Sequence, residues 1–484
     1  MIIALDPTFL AALADVPARA WADWFGDLPS APSPSPTTPA HTLVAAFPIP
    51  PARGHAAFCL FETNAGPAMG SLHQAALRRW AGPAPVGAFV LHEQRDADGS
   101  VVWSLASAWS DDVVRAWLRE ALSAGASIRA GEWEWVAAPE RSVAHRSVTG
   151  ESRQLGGRRH DVVLIGSSAV AIAYRQLTRG ASPELDLLRH LERVPGVRVS
   201  PTLLGSAIIM SPKGERTASA LLEDINAESS TVKTVVIHRL RRALEGDPSL
   251  QAVALDDVRA VGVATRELHA ALGRPFDKGI IAGAIPAVAR DVEVWVARAW
   301  AALGNATLAC KRDTVHRPAL LAALDILPGK LQQFGAAAER SPGLIHRIHG
   351  NLRLDNVLIS PPRILSVVEF DGEAALPDGE RLMPQSPWRD VARGLVSIAE
   401  AAARAALEVG GDDEALEIAW LWEREARKAY LEGYGTGGGA LHALLAIFEL
   451  EFASRLLLDG LGSRSDTDVL VASHTLGRLS RSIV

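Results

Sequence analysis

Residues 344–373 constrain the fold of this chain more than any other stretch. They read LIHRIHGNLRLDNVLISPPRILSVVEFDGE. A His-Gly turn precedes Asn351, and Asn356 follows five residues later. A short predicted hairpin comes next, and its second, apolar strand is followed by Glu369 and Asp371. In phosphoryl-transfer sites one loop presents a base to the acceptor hydroxyl, and that loop and the next hairpin hold the magnesium that bridges the phosphates. The stretch predicts such a site, with Asn351 at the base position.

Length and composition indicate a soluble protein of several domains. The 484 residues exceed what a single core usually supports, so we expect two or three domains. The net charge of −6 favours neither nucleic acid nor a membrane surface as partner. No uncharged apolar run reaches the ~18 residues of a membrane span. The amino terminus reads as an amphipathic helix, not a signal peptide, and the two distant cysteines, Cys59 and Cys310, fit a reducing cytoplasm.

The first 130 residues read as a small α+β module. Residues 7–26 have helical apolar spacing, and a Pro- and Ser-rich loop follows. Four strands and a capped helix come next, with Asp98-Gly99 as the turn between the last two strands. Three aromatic side chains near the start fit the core of this module better than a carbohydrate-stacking surface: Trp21, Trp24 and Phe25.

From residue 131 the pattern is that of a small antiparallel sheet and then a helical region. Two strands meet around residues 166–168, and a helix begins with Ser182 as its cap and Pro183 at its first position. VSPTLLGSAIIMSPKG is predicted to form two strands, and TASALLEDI (217–225) to cross to a second lobe. Beyond residue 230 the spacing is helical. We therefore predict an α+β fold with domains at 1–130, 131–222 and 223–484.

Eight segments, in the same order, carry a resemblance to a known family. They are WFG, AYRQLTRGASPELDLLRHL, VATRELHAAL, RIHGNLRLDNVL, VVEFDGE, SPWRDVARGL, WEREARKAYLEGY and FELEFASRLL. With them the chain resembles bacterial maltokinases, a capped branch of the aminoglycoside-phosphotransferase-like kinases. The resemblance implies a bilobal protein-kinase-like fold with an amino-terminal cap domain. It also implies phosphorylation of a sugar, typically maltose, by ATP and magnesium, often beside a partner enzyme such as trehalose synthase.

The catalytic loop of the family maps onto three residues of this chain. His349 matches the loop histidine, and Asp390 matches the acid that braces the loop. Asn351 stands where the family has the general-base Asp. A carboxamide cannot accept the acceptor proton, so the expected loss is about 3–5 kcal/mol of barrier.

The metal ligands of the family map onto Asn356, Glu369 and Asp371. Glu369 replaces the Asp of the family, which keeps the charge but adds one methylene. Because magnesium demands near-ideal octahedral geometry, we expect weak or shifted metal binding.

The phosphate-holding lysine of the family falls at Ile172 when the Tyr174-Arg175 pair is aligned. Successive strand residues face opposite ways, so Arg175 cannot simply replace that lysine. Asp186 is the predicted acidic partner on the following helix, and Glu223 is a further predicted nucleotide-site residue.

Three residues are predicted to contact the sugar: Arg353, Glu423 and Arg427. The last two lie on a helix that borders the sugar pocket in the family. They can also be read as ion pairs on a solvated helix face.

Two functions follow from these substitutions. The first is a pseudokinase, with absent or strongly reduced phosphotransfer, that serves binding or regulation in sugar and α-glucan metabolism. The alternative is an active, divergent ATP-dependent kinase of maltose, glucosamine or a related sugar, in which Asn351 only orients the hydroxyl. Loss of the base, the lysine and the metal Asp together favours the pseudokinase.

Overall fold

The protein is described by a computed structural model. It describes residues 5–17, 20–21, 24–25, 41–63, 70–140, 150–155, 160–180, 182–275, 283–313, 315, 317–373, 376, 378–435 and 442–482. The chain divides into two compact units. The first comprises Met1–Glu192, Pro201–Glu228 and Ala374–Asp378, and the second comprises Arg193–Ser200, Ser229–Glu373 and Gly379–Val484. The first unit contains the segment predicted as a cap and, except for Arg193–Ser200, the segment predicted as a small lobe. The boundary between these two segments stays a prediction.

The first unit begins with a short helix and an antiparallel sheet of order β1-β2-β3-β5-β4. Helix α1 spans Pro7–Ala14. It is capped by Asp6 and ends three residues before Pro17, and residues 20–21 and 24–25 are helical again. The helical spacing predicted over 7–26 is therefore interrupted after Ala14. The strands are β1 His41–Pro48, β2 Ala56–Thr63, β3 Leu72–Ala81, β4 Val90–Arg95 and β5 Val101–Ser107. Trp24 and Phe25 are buried in the core of this sheet, as predicted.

A second antiparallel sheet has the order β6-β7-β12-β13-β10-β9-β8, and helices α2 and α3 belong to the same unit. The elements along this part of the chain, including β11 of the first sheet, are α2 Asp112–Ala124, β6 Ala126–Ala130, β7 Trp133–Pro139, β8 Ser152–Gln154, β9 His160–Ile165, β10 Ala169–Tyr174, β11 Gln176–Leu177, α3 Pro183–Arg193, β12 Thr202–Met210 and β13 Arg216–Asp224.

The prediction for TASALLEDI was wrong. This segment is β13, paired with β12 on one side and β10 on the other, and VSPTLLGSAIIM before it contributes one strand, β12. Residues 217–223 are all buried, so the burial of this central strand does not alternate between its two faces.

The two sheets of the first unit share buried polar and aromatic contacts. Gln74 on β3 accepts a 2.5 Å hydrogen bond from the Ser219 hydroxyl on β13, which in turn accepts one of 2.9 Å from the Trp135 indole. Phe58 stacks on Trp135 with 5.6 Å between ring centroids. Strand β11 pairs with β3 of the first sheet. The amino-terminal sheet is therefore built into the first unit.

The second unit is mainly helical, as the periodicity predicts. It contains β14 Ser230–Thr231, α4 Val232–Leu244, α5 Ser249–Leu272, β15 Ile285–Pro286, α6 Ala289–Arg312, α7 Pro318–Arg340, β16 Leu344–Ile345, β17 Val357–Ser360, β18 Ile364–Val367, α8 Asp378–Arg381, α9 Trp388–Glu408, α10 Asp413–Tyr434, α11 His442–Ser463 and α12 Asp466–Ser480. The predicted hairpin is β17–β18, and β14 pairs with β17. The α+β fold class, with one sheet-rich and one helical unit, is confirmed.

None of the helices within the described ranges combines the length and apolar character needed to cross a bilayer.

Candidate functional site

The loop that carries Asn351 is held by the first turn of α9. The carboxylate of Asp390 accepts hydrogen bonds from the backbone N–H groups of His349 (2.8 Å) and Gly350 (2.9 Å). Burial works to raise the pKa of Asp390, but the hydrogen bond with His269 and the nearby loop hold it below its ordinary value. Asp390 is thus a buried carboxylate that fixes the loop, as its predicted role requires.

Gly350 lets this loop lie against residues 368–373, the predicted metal loop, which carries Glu369 and Asp371. Its φ is +84°, and a Cβ added there would lie 3.2 Å from the Cα of Gly372. Both the left-handed backbone and the close approach favour glycine.

The His349 ring connects its own loop to the loop that follows β18. Its Nε2 lies 2.9 Å from the carbonyl of Val368, and its Nδ1 lies 3.3 Å from the backbone nitrogen of Asn351. These partners assign the proton to Nε2, because a carbonyl only accepts and a backbone N–H only donates. The backbone of Asn351 is therefore fixed, and its half-buried carboxamide can orient a hydroxyl but cannot take its proton.

Two of the predicted metal ligands meet at the base of the β17–β18 hairpin. Nδ2 of the buried Asn356 donates a 2.8 Å hydrogen bond to Oε2 of Glu369. Glu369 has a left-handed φ of 64°, an uncommon conformation for a residue with a side chain. The Asn356 amide oxygen and the Glu369 carboxylate are hard oxygen ligands of the kind magnesium prefers. These two residues fit a magnesium ion that also binds substrate phosphates.

The third predicted metal ligand, Asp371, lies two residues farther along and is half-buried. Its backbone carbonyl accepts a 3.1 Å hydrogen bond from Arg381.

A ring of four charges fixes the end of the metal loop. Glu373 pairs with Arg389 (3.1 Å) and Arg455 (2.6 Å), and both arginines also pair with Glu451 at 2.8 Å. Arg389 is 1% exposed. Each carboxylate oxygen of Glu373 therefore pairs with an arginine, one from α9 and one from α11.

Arg353 lies in a second ionic cluster beside the loop. Its guanidinium is 2.7 Å from Glu400 and 3.0 Å from Asp355, and Lys233 of α4 contacts the same two carboxylates. Burial would raise the pKa of Glu400, but Arg353, Arg393 and Lys233 lower it to about 2. Glu400 is therefore an anionic anchor for the loop, and a role of Arg353 toward the sugar stays a prediction.

In the first unit, strand β10 places Ile172 in an apolar cluster. Ile172 is 7% exposed and packs with Leu164 and Val170. Arg175, the residue after β10, pairs at 2.8 Å with Asp161, which lies opposite Ala173 and not opposite Ile172. Arg175 therefore does not stand in for Ile172, where the resemblance places a lysine.

The strand–helix link in this unit uses a residue that sequence reasoning missed. The buried Tyr174 hydroxyl of β10 lies 2.5 Å from Oε2 of Glu184, in the first turn of α3. Asp186, the predicted acidic partner, lies two residues after Glu184 and is half-buried. Glu223 is buried on β13, opposite Val170. Ile172, Asp186 and Glu223 belong to the first unit, whereas the loop and metal residues belong to the second.

Glu423 and Arg427 form the i,i+4 ion pair that the spacing predicts, at 3.6 Å, but they do not lie on a solvated face, so that part of the interpretation was wrong. Glu423 is 2% exposed, and Arg427 pairs bidentately with Glu449 of α11 at 2.5 and 3.0 Å. Arg478 of α12 joins Glu449 at 2.9 Å. Their predicted contact with a sugar is still a prediction.

Comparison with known proteins identifies the fold. No family model matches the chain. Glucosamine kinase in complex with glucosamine, ADP and inorganic phosphate is 19% identical, with a TM-score of 0.63 over 94% of this chain and 96% of that one. Crystal form A of glucosamine kinase gives 0.65 at 19% identity over 98% of both chains, and crystal form B gives 0.66 at 19% over 94% and 99%. The chain has the fold of these kinases, which confirms the kinase-like fold, and membership of the maltokinase family stays a prediction.

Proposed function

We propose that this chain is a pseudokinase of the sugar-kinase type. In this proposal it binds a nucleotide and a sugar, transfers phosphate at an absent or strongly reduced rate, and serves binding or regulation in sugar metabolism. The observation that carries the proposal is the apolar surrounding of Ile172. The lysine that would hold the phosphates is replaced by a side chain packed against Leu164 and Val170.

No other lysine in the same part of the chain offers a replacement. Lys213 is the only lysine in residues 1–228, and it is exposed in the turn between β12 and β13. Arg175 is engaged by Asp161, which lies opposite Ala173. Phosphate charge would therefore lack its usual lysine partner, which weakens both nucleotide binding and transition-state stabilisation.

The substitutions at Asn351 and Glu369 act in the same direction. Asn351 can position an acceptor hydroxyl but supplies no base. Asn356, Glu369 and Asp371 would hold magnesium, which neutralises phosphate charge when bound. The longer side chain of Glu369 changes the reach of the one carboxylate that contacts Asn356.

Binding is proposed because the frame of the loop is intact. Asp390 holds the loop amides, His349 joins the two loops, and Glu373 is anchored by two arginines. The alternative, an active and divergent kinase, is favoured by the same frame, since phosphoryl transfer depends mainly on positioning. The structural neighbours suggest which ligands to try first, namely glucosamine and ADP, together with maltose and ATP.

Binding is tested by thermal shift and calorimetry with ADP or ATP, with and without magnesium, and with glucosamine or maltose. We expect a measurable shift with at least one nucleotide or sugar. A protein that responds to no nucleotide and no sugar at millimolar concentration contradicts the binding half of the proposal.

Turnover is tested on four proteins: the native chain, Asn351→Asp, Ile172→Lys and the double variant. We expect little or no turnover in the native chain and the largest gain in the double variant. Matched controls are Asn305→Asp and Ile326→Lys, which make the same changes at exposed positions of α6 and α7. Native turnover at a rate ordinary for kinases, roughly 1–100 per second, overturns the pseudokinase reading and leaves the active alternative.

A further inference from the structure

The loop that carries Asn351 is the end of a longer chain of hydrogen bonds. Asp390, which holds the loop amides, also contacts Nε2 of His269 on α5 at 3.1 Å. Nδ1 of His269 lies 2.9 Å from the hydroxyl of Tyr434, the last residue of α10. From Tyr434 to Asn351 the contacts pass through His269, Asp390 and His349 without a gap. The conformation of the loop is therefore tied to the end of a helix.

The hydrogen bond between His269 and Asp390 has a defined direction. The carboxylate of Asp390 can only accept, so Nε2 of His269 carries the proton. The Tyr434 hydroxyl contacts the other ring nitrogen, Nδ1, and so holds the orientation of the ring toward Asp390, as outer partners do for ligating histidines.

The two helices that carry this pair are in close contact. A Cβ added at Gly262 of α5 would lie 2.1 Å from the carbonyl oxygen of Tyr430 of α10. Trp388, two residues before Asp390, packs edge-on against the Tyr434 ring at 5.4 Å. His269 is buried, so no solvent replaces a partner that it loses.

We propose that His269 and Tyr434 are positioning residues that set the catalytic loop through Asp390. Neither residue touches the reacting groups of the proposed function. They act by holding the Asp390 carboxylate in the orientation that both loop amides require. The inference concerns the loop on which the proposed function depends, but it is tested without nucleotide or turnover, so either idea can fail alone.

The test is hydrogen–deuterium exchange of the intact chain, followed by mass spectrometry at the amides of His349 and Gly350. Tyr434→Phe removes one hydroxyl and keeps the ring. We expect these two amides to exchange about 5-fold faster, the effect of losing one ordinary hydrogen bond. In His269→Phe we expect at least about 10-fold, because a bond to a charged group is lost.

Tyr430→Phe is the matched control, because it removes a buried hydroxyl from the same helix. That hydroxyl contacts Thr265 at 3.0 Å and not His269. We expect loop exchange within about 2-fold of the native value, even where the melting temperature falls. In the double variant with His269→Phe, Tyr434→Phe should add nothing to loop exchange, since the connection is already broken.

Three results overturn the proposal. One is loop exchange at the native rate in Tyr434→Phe, and another is an equal acceleration in Tyr430→Phe. The third is full additivity of the two changes in the double variant, which would mean that Tyr434 does not act through His269.

Discussion

The carboxamide of Asn356 donates a hydrogen bond to the carboxylate of Glu369, 2.8 Å away, so two of the three predicted metal ligands contact each other. Asn356 precedes β17 and Glu369 follows β18, which makes this contact the closure of the hairpin. The donated N–H leaves the amide oxygen of Asn356 as the atom able to face a cation. An ion held here, as we propose, would meet this amide oxygen and the Glu369 carboxylate.

We predict that Glu369→Gln reduces the magnesium enhancement of nucleotide affinity by about 10-fold, because the charged member of the pair becomes neutral. The measurement is calorimetric titration with ADP in the presence and absence of magnesium. Glu425→Gln, on the exposed side of α10, is the control and should leave the enhancement unchanged. An enhancement that survives in Glu369→Gln would remove this residue from the metal site.

Arg389→Met should strongly destabilise the second unit. The change leaves Glu451, which is fully buried, and Glu373 with one arginine fewer, and breaking a buried ion pair costs about 3–5 kcal/mol. Arg404→Met on the same helix removes an exposed pair with Glu408 and should change stability by less than about 0.5 kcal/mol. Urea unfolding of the two variants compares them directly, and equal losses would disprove the special role of the four-charge ring.

Stability of the first unit should fall as the pH drops from about 6.5 toward 4. Burial, with a smaller contribution from His41, lowers the pKa of His73 from 6.5 to about 4. Between these values the unfolded chain binds a proton that folded His73 excludes, so stability rises with pH in this window and is lost on acidification. The shift corresponds to about 3 kcal/mol.

The measurement is the melting temperature of the native chain and of His73→Gln between pH 4 and 7. The variant should show a flatter profile because it has no imidazole to protonate. Parallel profiles would mean that His73 does not contribute to the pH dependence.

Gly350→Ala should disturb the loop far more than its size suggests. The left-handed φ of +84° costs a residue with a Cβ about 1–2 kcal/mol, and that Cβ would also press on Gly372. Gly304→Ala, in α6 with nothing within 4 Å, should be neutral or stabilising by up to about 1 kcal/mol. Denaturant unfolding and loop exchange of the pair measure both effects, and equal behaviour of the two variants would rule out strain at Gly350.

The elements that sequence predicted well are those specified by local signals. Ser182 and Pro183 mark the start of α3, and the helices beyond residue 230 follow their apolar spacing. Strand β13 was misread because its buried run has no alternation, and only its distant partners β12 and β10 define it.

The site shows the same division between local and long-range information. Asn351, Asn356 and Glu369 follow one another in a motif, so their order was readable. The Tyr174–Glu184 contact and the His269–Asp390 contact join residues 10 and 121 positions apart. A lone histidine in an amphipathic helix gives no signal of such a partner. Burial of Glu423 and Arg427 was missed for a similar reason, since besides each other they contact His474 and Glu449 of other helices.

The shared contacts within the first unit restrict how this chain could have diverged. A chain begun at residue 131 would lose β6, the edge partner of β7, and would strip Ser219 of Gln74 and Trp135 of Phe58. Recombination that exchanges the amino-terminal sheet would therefore break the unit that remains. Substitutions within the unbroken frame leave this unit intact, and the proposed changes at Ile172, Asn351 and Glu369 are of that kind.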